Sequence, residues 1–173
     1  MKIRLANPND INQIMEIIND AKKYLKSQSL KQWNLDDGYP QKEVLLNDIN
    51  NKSCYVLEKD NVLIATMSVV FTLDENYNEI YNGNWLTNDK YASIHRIAIR
   101  NEYHHLKLGI YMLLEAENIV KDKNIYSIKI DTHKLNIPMT KTILNAGYTH
   151  CGTIILKRTA EDNLREAYEK RLD

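Results

Sequence analysis

The chain has 173 residues, of which 43% are hydrophobic and 27% are charged, values typical of one soluble globular domain with a sizeable core. Lys plus Arg and Asp plus Glu each total 23, so the formal net charge is zero. That neutrality argues against sequence-independent binding to nucleic acid, which rests on a positive surface. The composition therefore predicts a single domain over residues 1–173 and no nucleic-acid partner.

The sequence shows no signal for export, membrane insertion or disulfide formation. The N-terminal stretch MKIRLANPND lacks the apolar core of a signal peptide, and no apolar run is long enough to span a bilayer. Cys54 and Cys151 lie in strand-like apolar runs, where buried free thiols are expected. The histidines and cysteines lack the spacing of zinc ligands. We therefore expect a cytoplasmic protein with no membrane partner and no metal site.

The first 50 residues predict a strand followed by two helices. Residues 2–6 form a short strand, and Asn7 caps a helix that has proline in its first turn and Asp10 three residues after the cap. Apolar residues then recur at helical spacing. A loop rich in turn-forming residues covers 29–40, and a second helix is predicted over about 41–50.

The apolar pattern then changes to the period of strands. Two β-rich runs within 54–71 flank the tripeptide KDN, which is a hairpin signal. Strands and helices alternate only in the second half of the chain, so 91–133 is predicted to form one right-handed βαβ crossover with parallel strands. The chain is therefore predicted to be α/β with a mixed sheet. After the polar connection 72–90, the predicted elements are strand 91–100, helix 109–122, strand 126–133, helix 137–147, and strands 150–157 and 166–172.

Several of these features together resemble one family. The element order, the strand SIHRIAI, the loop into a helix at Gly109, and an asparagine before the last helix followed by Ala-Gly-Tyr resemble the GNAT superfamily of N-acetyltransferases over nearly the whole chain. Four shorter stretches resemble one bacterial subgroup of it: Gln32-Trp33…Gly38-Tyr39-Pro40, Ile94-His95-Arg96, Asp131-Thr132-His133 and Ala167-Tyr168-Glu169-Lys170.

The resemblance implies a fold and a reaction. The fold is a single domain with a mixed central sheet of about seven strands and about four flanking helices, splayed between strands 91–100 and 126–133. The reaction takes the acetyl group from acetyl-CoA and transfers it to an amine. The family's phosphate-binding loop reads Q/R-x-x-G-x-G/A, and these positions fall on His104, Lys107 and Gly109.

The loop lacks two of the three signature residues, yet it keeps the helix start that matters physically. Backbone N–H groups at a helix N-terminus bind phosphate, and the helix dipole favours the negative charge. Lys107 removes the access that glycine allows, and its ammonium either compensates by a charge-assisted hydrogen bond or points into solvent. The cofactor-binding residues implied by the resemblance are Ile97, Ala98, Ile99, His104, His105, Leu106, Lys107, Leu108, Gly109, Ile110, Asn136 and Met139.

His95 is the candidate general base. Alternation along 91–99 puts Ser93, His95, Ile97 and Ile99 on one face, and His95 alone in that set titrates near neutrality. The resemblance implies that a residue here draws the proton from the amine, often through water. The alternative interpretation is a core histidine that is hydrogen-bonded to a backbone group.

The general acid has no clear candidate. The resemblance places a tyrosine seven residues after Asn136, where this chain has Ile143. Tyr148 is the candidate kept for this role, and Tyr111 or a water molecule are alternatives. Because a thiolate is a fairly good leaving group, turnover does not require the acid.

The acceptor site is expected in the loops. The resemblance implies that Trp33, Tyr39 and Trp85 wall this site, and aromatic and acidic side chains would suit a cationic amine; the alternative is a tryptophan packed in the core. His133, with Asp131, either lines the cleft or forms a hydrogen-bonded pair that orders the loop to Asn136.

The sequence therefore predicts transfer of acetyl from acetyl-CoA to a primary amine of a small molecule or peptide, by direct attack in a ternary complex. The alternative is a weakly active or inactive module of the same fold that binds CoA or another ligand as a sensor. Family members often dimerise, so a homodimer is compatible with the resemblance.

Overall fold

The structure is a computed structural model of the 173-residue chain, and it describes residues 1–34 and 36–173. Its strands and helices follow the predicted order, and most of their ends lie within two residues of the predicted ends. The first helix differs more at its start, because Pro8–Asp10 form a 3-10 turn before α1 begins at Ile11. The elements are β1 (Lys2–Leu5), α1 (Ile11–Ser27), α2 (Lys42–Asn50), β2 (Cys54–Lys59), β3 (Val62–Val70), β4 (Ala92–Ile99), α3 (Leu108–Lys121), β5 (Ser127–Thr132), α4 (Ile137–Asn145), β6 (Thr149–Ile155) and β7 (Leu164–Arg171).

The seven strands form one mixed sheet in the order β1-β2-β3-β4-β5-β7-β6, which confirms the predicted fold class. Strand β4 pairs with β5 in parallel, as the predicted crossover requires, and the pairs formed by β1 with β2, β2 with β3, β5 with β7 and β6 with β7 are antiparallel. The parallel ladder joins Ala92–Ile94 to Ile128–Ile130. Beyond this ladder β4 continues to Ile99, at the place where the resemblance implies a splay.

The chain divides into two compact units, each made of two segments. The first unit contains residues 1–69 and 96–112, and the second contains residues 70–95 and 113–173. Neither unit is a continuous piece of chain. The assignment of residues 1–173 to a single domain stays a prediction.

The core of the first unit forms around the two N-terminal helices. Ile14, Ile17 and Ile18 are fully buried, and their spacing places them on one face of α1. Each such side chain stabilises the fold by about 1.5–3 kcal/mol. The buried cluster comprises Ala6, Ile11, Ile14, Ile17, Ile18, Leu45, Ile49, Cys54, Val56, Leu63 and Ala98.

Part of the core of the second unit is aromatic. Tyr77 and Tyr91 are buried together with Ile154 and Ala167, and Trp85 packs against them. Tyrosine is abundant in this sequence and phenylalanine occurs once, so tyrosine fills core positions. Each buried hydroxyl then needs a hydrogen-bond partner, and these partners shape the site described below.

Two further features follow the sequence predictions. Both cysteines are free and buried, and burial raises the pKa of the Cys54 thiol to about 11. Gly147, with a φ of +87°, follows the end of α4 as a left-handed terminator.

No helix in the described part of the chain is long and apolar enough to cross a membrane.

Candidate active site

Strand β4, which carries the candidate base, has a backbone irregularity at Arg96. The φ of Arg96 is +52°, a left-handed value that interrupts the pleat of a strand. Ala98 is buried, whereas Ile97 and Ile99 are partly exposed. His95, Ile97 and Ile99 are all partly exposed, as the predicted alternation requires, although the left-handed residue Arg96 interrupts the regular pleat of the strand.

The side chain of Arg96 is held by a network within the first unit. Its Nε and Nη2 donate to the two carboxylate oxygens of Asp48 at 2.6 and 3.0 Å, a bidentate geometry that is stronger than a single neutral hydrogen bond. Its Nη1 donates to the Tyr39 hydroxyl at 2.9 Å, and the Ser68 hydroxyl donates to Asp48 at 2.6 Å. This network fixes both the irregularity in β4 and the position of Tyr39.

His95 is paired with a carboxylate that sequence reasoning did not find. Its Nε2 lies 3.1 Å from Oδ2 of Asp74 and 3.0 Å from the Ser93 hydroxyl. Both partners are side chains, so the alternative interpretation of a histidine hydrogen-bonded to a backbone group is not what is observed. The imidazole is about four-fifths buried, with 19% of its side chain exposed.

Asp74 is fixed by its own neighbours. Its Oδ1 accepts hydrogen bonds from the backbone N–H and the side-chain amide of Asn76 at 2.9 and 2.7 Å. Burial is the largest influence on the pKa of Asp74 and raises it, but the hydrogen bond and charge of His95 and the hydrogen bonds from Asn76 together outweigh burial, so the net pKa lies below its usual value. The local signal was an Asp-x-Asn turn, but nothing in the sequence indicated that this turn meets His95.

Tyr77 lies between His95 and the end of β5. Its ring centroid is 6.0 Å from that of His95, and its hydroxyl donates to Oδ1 of Asp131 at 2.7 Å. Burial, reinforced by Asp131, raises the pKa of Tyr77 well above its ordinary value. Tyr77 therefore remains a neutral donor that anchors the turn after Asp74.

His133 does not pair with Asp131, because Asp131 bonds Tyr77 instead. Nε2 of His133 lies 2.8 Å from Oδ1 of Asp162, and Nδ1 accepts from the backbone N–H of Leu135 at 3.1 Å. The expected Asp131–His133 pair is wrong for this reason. Both ring nitrogens of His133 have protein partners, and the contact with Leu135 orders the approach to α4.

The candidate phosphate loop leads through a 3-10 turn over Asn101–Leu106 into α3. Lys107, the last residue before the helix, has a φ of +54°, so it adopts the left-handed conformation that the family's glycine would adopt at lower cost. The first helical hydrogen bonds are those of Ile110 and Tyr111 to the Lys107 carbonyl. The earlier amides at this helix start are thus the orphan donors that an anion can use.

The side chains of the loop divide into two groups. Nε2 of His104 lies 3.1 Å from the Ile99 carbonyl, and its ring meets the edge of the Tyr24 ring at 5.1 Å. These contacts hold the side chain of His104 against the end of β4 and against Tyr24. His105, Leu106 and Lys107 are exposed.

Asn136 caps α4. Its Oδ1 accepts from the N–H of Met139 at 3.2 Å, and the residue is buried. Capping satisfies the Met139 amide, so the contact predicted for these residues with the CoA arm would involve other atoms.

Tyr148 is poorly placed as a general acid. Its hydroxyl is buried and has no hydrogen-bond partner among the described residues. Burial, followed by the charge of Glu117, raises the pKa of the Tyr148 phenol, which makes it a weaker acid. Ile143 is also fully buried, so it is a core residue.

The second unit contains a pocket of about 530 Å³. Trp85 lines it, and the Nε1 of Trp85 donates to the Tyr77 carbonyl at 3.0 Å. The role of Trp85 as a wall of the acceptor site stays a prediction. Trp33 packs against the helical core of the first unit, which agrees with the core interpretation. The pocket is lined by Phe71, Leu73, Tyr77, Asn78, Trp85, Thr87, Asn88, Asp89, Lys90, Tyr91 and Lys129.

Comparison with known proteins gives a consistent result. The model of the acetyltransferase (GNAT) family matches residues 12–148. A GNAT-family acetyltransferase structure from Streptococcus agalactiae is 32% identical, with a TM-score of 0.89 over 99% of this chain and 95% of that chain. One from Listeria monocytogenes is 20% identical, with a TM-score of 0.75 over 99% and 94%.

A more distant structure contains a bound cofactor. The PaiA N-acetyltransferase from Thermoplasma acidophilum, solved in complex with coenzyme A, is 21% identical to this chain. Its TM-score is 0.70 over 98% of each chain, a likeness that shows the shared fold. No curated protein matches the sequence.

Proposed function

Because the chain belongs to the GNAT family of acetyltransferases, it is an acetyl-CoA-dependent N-acetyltransferase, and we propose that it acetylates a primary amine of a small molecule or peptide. The amine attacks the thioester directly in a ternary complex. The observation that carries this mechanism is the 3.1 Å contact between His95 Nε2 and Asp74 Oδ2.

The His95–Asp74 contact supports a base at a specific atom. The lowered pKa of Asp74 keeps its carboxylate ionised, so the carboxylate accepts the proton carried by Nε2. Nδ1 of the neutral imidazole then holds the lone pair. Nδ1 is therefore the proposed proton acceptor, acting directly or through one water molecule.

The proposed chemical step needs few other groups. The amine nitrogen forms a bond to the thioester carbon while His95 Nδ1 takes the amine proton. The carbonyl oxygen becomes an oxyanion, and a backbone N–H in the Ile97–Ile99 part of β4 is the proposed donor to it. The C–S bond then breaks, and the departing thiolate takes a proton from solvent.

Cofactor binding is proposed at the start of α3. The orphan amides after Lys107 and the helix dipole favour the pyrophosphate of CoA. His105 and Lys107 add exposed basic groups beside these amides, while His104 braces the turn. Asn136 and Met139 at the start of α4 remain the proposed contacts for the CoA arm.

The test of the base is a set of pH–rate profiles measured with acetyl-CoA and an amine that the enzyme accepts. We expect His95→Gln to lower kcat/KM by about 10²–10⁴-fold and to remove the limb at acid pH. Asp74→Asn should also lower kcat/KM, because the amide no longer fixes which ring nitrogen carries the proton.

The matched control is His150→Gln. His150 also pairs with a carboxylate, since its Nε2 lies 2.6 Å from Oε2 of Glu166, but this pair is exposed on the β6–β7 hairpin. The control should keep the wild-type profile. An acid limb that persists unchanged in His95→Gln would remove His95 from the mechanism.

A further inference from the structure

One lysine ammonium of the second unit is enclosed by aromatic rings. Nζ of Lys129 lies 4.1 Å from the centroid of the Trp85 ring and 4.0 Å from that of the Tyr91 ring. The residue is only 4% exposed. Burial lowers the pKa of Lys129, against the charge of Glu169, which raises it. The cation–π contacts favour the charged form of the side chain, which is unusual at such a buried position.

The ammonium of Lys129 lacks a hydrogen-bond acceptor within the described part of the chain. A neighbouring carboxylate, that of Glu169, is already saturated. Its oxygens accept from the backbone N–H groups of Leu86 and Thr87 and from the hydroxyls of Thr87 and Ser127. An ammonium has three N–H donors, and burying them without hydrogen-bond acceptors costs free energy.

Lys129 lines the 530 Å³ pocket together with both rings. Its donors therefore have a space beside them that a ligand can enter. The other charged residues lining the pocket are Asp89 and Lys90, whose charges cancel. Lys129 thus gives the pocket a net positive charge.

Lys129 and the proposed base occupy the same face of the sheet. Ser93 on β4 is the register partner of Lys129 on β5, and partners in a ladder share a face. His95 stands two residues further along β4, and its imidazole contacts Ser93. Strand spacing and rise place the Cβ atoms of Lys129 and His95 roughly 8 Å apart.

We propose that Lys129 is the binding residue for an acidic group of the acceptor, so that the substrate is an amine that also carries a carboxylate. The carboxylate accepts hydrogen bonds from the Lys129 ammonium, while the aromatic rings pack against the rest of the substrate. Because the cage of Trp85 and Tyr91 already holds a cation, polyamines and other purely cationic acceptors are excluded from it. This inference rests on the proposed function for the reaction, but the anion site exists without it.

The first experiment compares matched acceptors with the wild-type enzyme. L-Phenylalanine is measured against L-phenylalaninamide and β-alanine against β-alaninamide, and each rate is divided by the concentration of neutral amine. Loss of a hydrogen bond to a charged group corresponds to about tenfold or more, so the acid should exceed its amide in kcat/KM by that factor. Equal or faster acetylation of the amides would overturn the proposal.

The second experiment changes the lysine. Lys129→Met keeps an unbranched side chain without charge and should abolish the preference for the acid, while putrescine becomes a better acceptor because no positive charge then lies between the rings. Lys129→Arg should retain the preference. Lys90→Met is the matched control, because it removes an exposed positive charge from the same pocket, and it should keep the preference.

Binding can be read without turnover. In Trp33→Phe, Trp85 is the remaining tryptophan, so its fluorescence reports on the cage during titration with each acid and amide. A saturable change with the acids that is lost after Lys129→Met supports the anion site. Absence of a saturable change with either acid, or an equal change with the amides, overturns it.

The proposed reaction and the proposed anion site at Lys129 can be disproved independently of each other. If only amines without a carboxylate are acetylated, the proposal that the acceptor carries a carboxylate is wrong, whereas the proposed reaction is still supported. If the acids bind at Trp85 but neither they nor other amines are acetylated, the reaction falls while the anion site stands.

Discussion

Three basic residues, Lys52, Arg96 and Lys107, have left-handed backbone where glycine would be less strained, and the last two belong to the candidate site. Arg96 has a φ of +52° and Lys107 a φ of +54°, and this conformation costs a residue with a Cβ about 1–2 kcal/mol. The guanidinium of Arg96 offsets its cost through the bidentate contact with Asp48. Lys107 is exposed, so its conformation is expected to be retained for a reason other than packing.

Lys107→Gly tests whether that reason is phosphate binding. Removing the strain should raise the free energy of unfolding by about 1 kcal/mol and Tm by about 2–4 °C. If the ammonium contacts the pyrophosphate, the affinity for acetyl-CoA in calorimetry should be equal or weaker despite the easier access. Lys107→Ala keeps the Cβ and removes the charge, so it separates the two effects. Clearly tighter binding by Lys107→Gly would show that the lysine only obstructs the site.

At the scale of elements, the chain enters α1 through a capped 3-10 turn over Pro8–Asp10. The Asn7 side chain accepts from the backbone of Asn9, and Oδ2 of Asp10 accepts from the N–H of Asn7 at 2.8 Å. The Asp10 carboxylate also accepts hydrogen bonds from Nη1 and Nη2 of Arg4 at 2.7 and 3.0 Å. One carboxylate therefore completes the capping box of the 3-10 turn and ties this turn to β1.

Asp10→Asn should destabilise the protein in a pH-dependent way. The Arg4 hydrogen bond is the largest influence on the pKa of Asp10, and it holds that pKa below the ordinary value although burial opposes it. A carboxylate with a lowered folded-state pKa stabilises the fold above its unfolded pKa, near 3.9, and that contribution is lost as the pH falls through the folded pKa. Urea unfolding should show a loss of about 1–3 kcal/mol at pH 7.

The difference between Asp10→Asn and the wild type should shrink in acid, below about pH 4, where the wild-type carboxyl becomes neutral. Glu58→Gln is the control, because Glu58 is the other acidic partner of Arg4 and is more exposed. It should cost less than about 1 kcal/mol. A constant difference for Asp10→Asn at all pH values would mean that the charge of Asp10 contributes nothing.

At the scale of the whole molecule, local patterns predicted the elements but not the contacts between distant segments. The Asn7 cap, the hairpin and the stop at Gly147 rest on short-range rules, and each was predictable. The irregularity at Arg96 was not, because arginine has no local preference for positive φ and its support comes from Asp48. Likewise, Asp74 lies in a polar connection without periodicity, so its contact with His95 depends on how that connection folds back.

Lys129 and Glu169 show the same limit at the pocket. Ser127, Lys129 and Asp131 alternate with apolar residues along strand 126–133, but a polar residue there could face solvent, a ligand or another buried charge. Only the fold shows that the carboxylate of Glu169 accepts hydrogen bonds from Leu86, Thr87 and Ser127. The ammonium of Lys129 instead contacts the rings of Trp85 and Tyr91.

Glu169→Gln therefore tests how the long connection is held to the sheet. Glu169 is fully buried, and its bonds join residues 82 and 83 positions apart in sequence. Glutamine keeps the shape but has one oxygen, so its NH₂ group must face donors that formerly had an acceptor. An unsatisfied buried donor costs about 1–3 kcal/mol, and urea unfolding should show a loss of that size or more.

The location of the damage distinguishes this role from general core packing. Hydrogen exchange should accelerate first at the amides of Leu86 and Thr87, because the connection detaches before the sheet unfolds. Glu166→Gln, a partly exposed neighbour on β7, should leave these amides protected. If they exchange at the wild-type rate in Glu169→Gln, the carboxylate does not hold the connection. If they open while Trp85 fluorescence also changes, the same carboxylate maintains the wall of the 530 Å³ pocket.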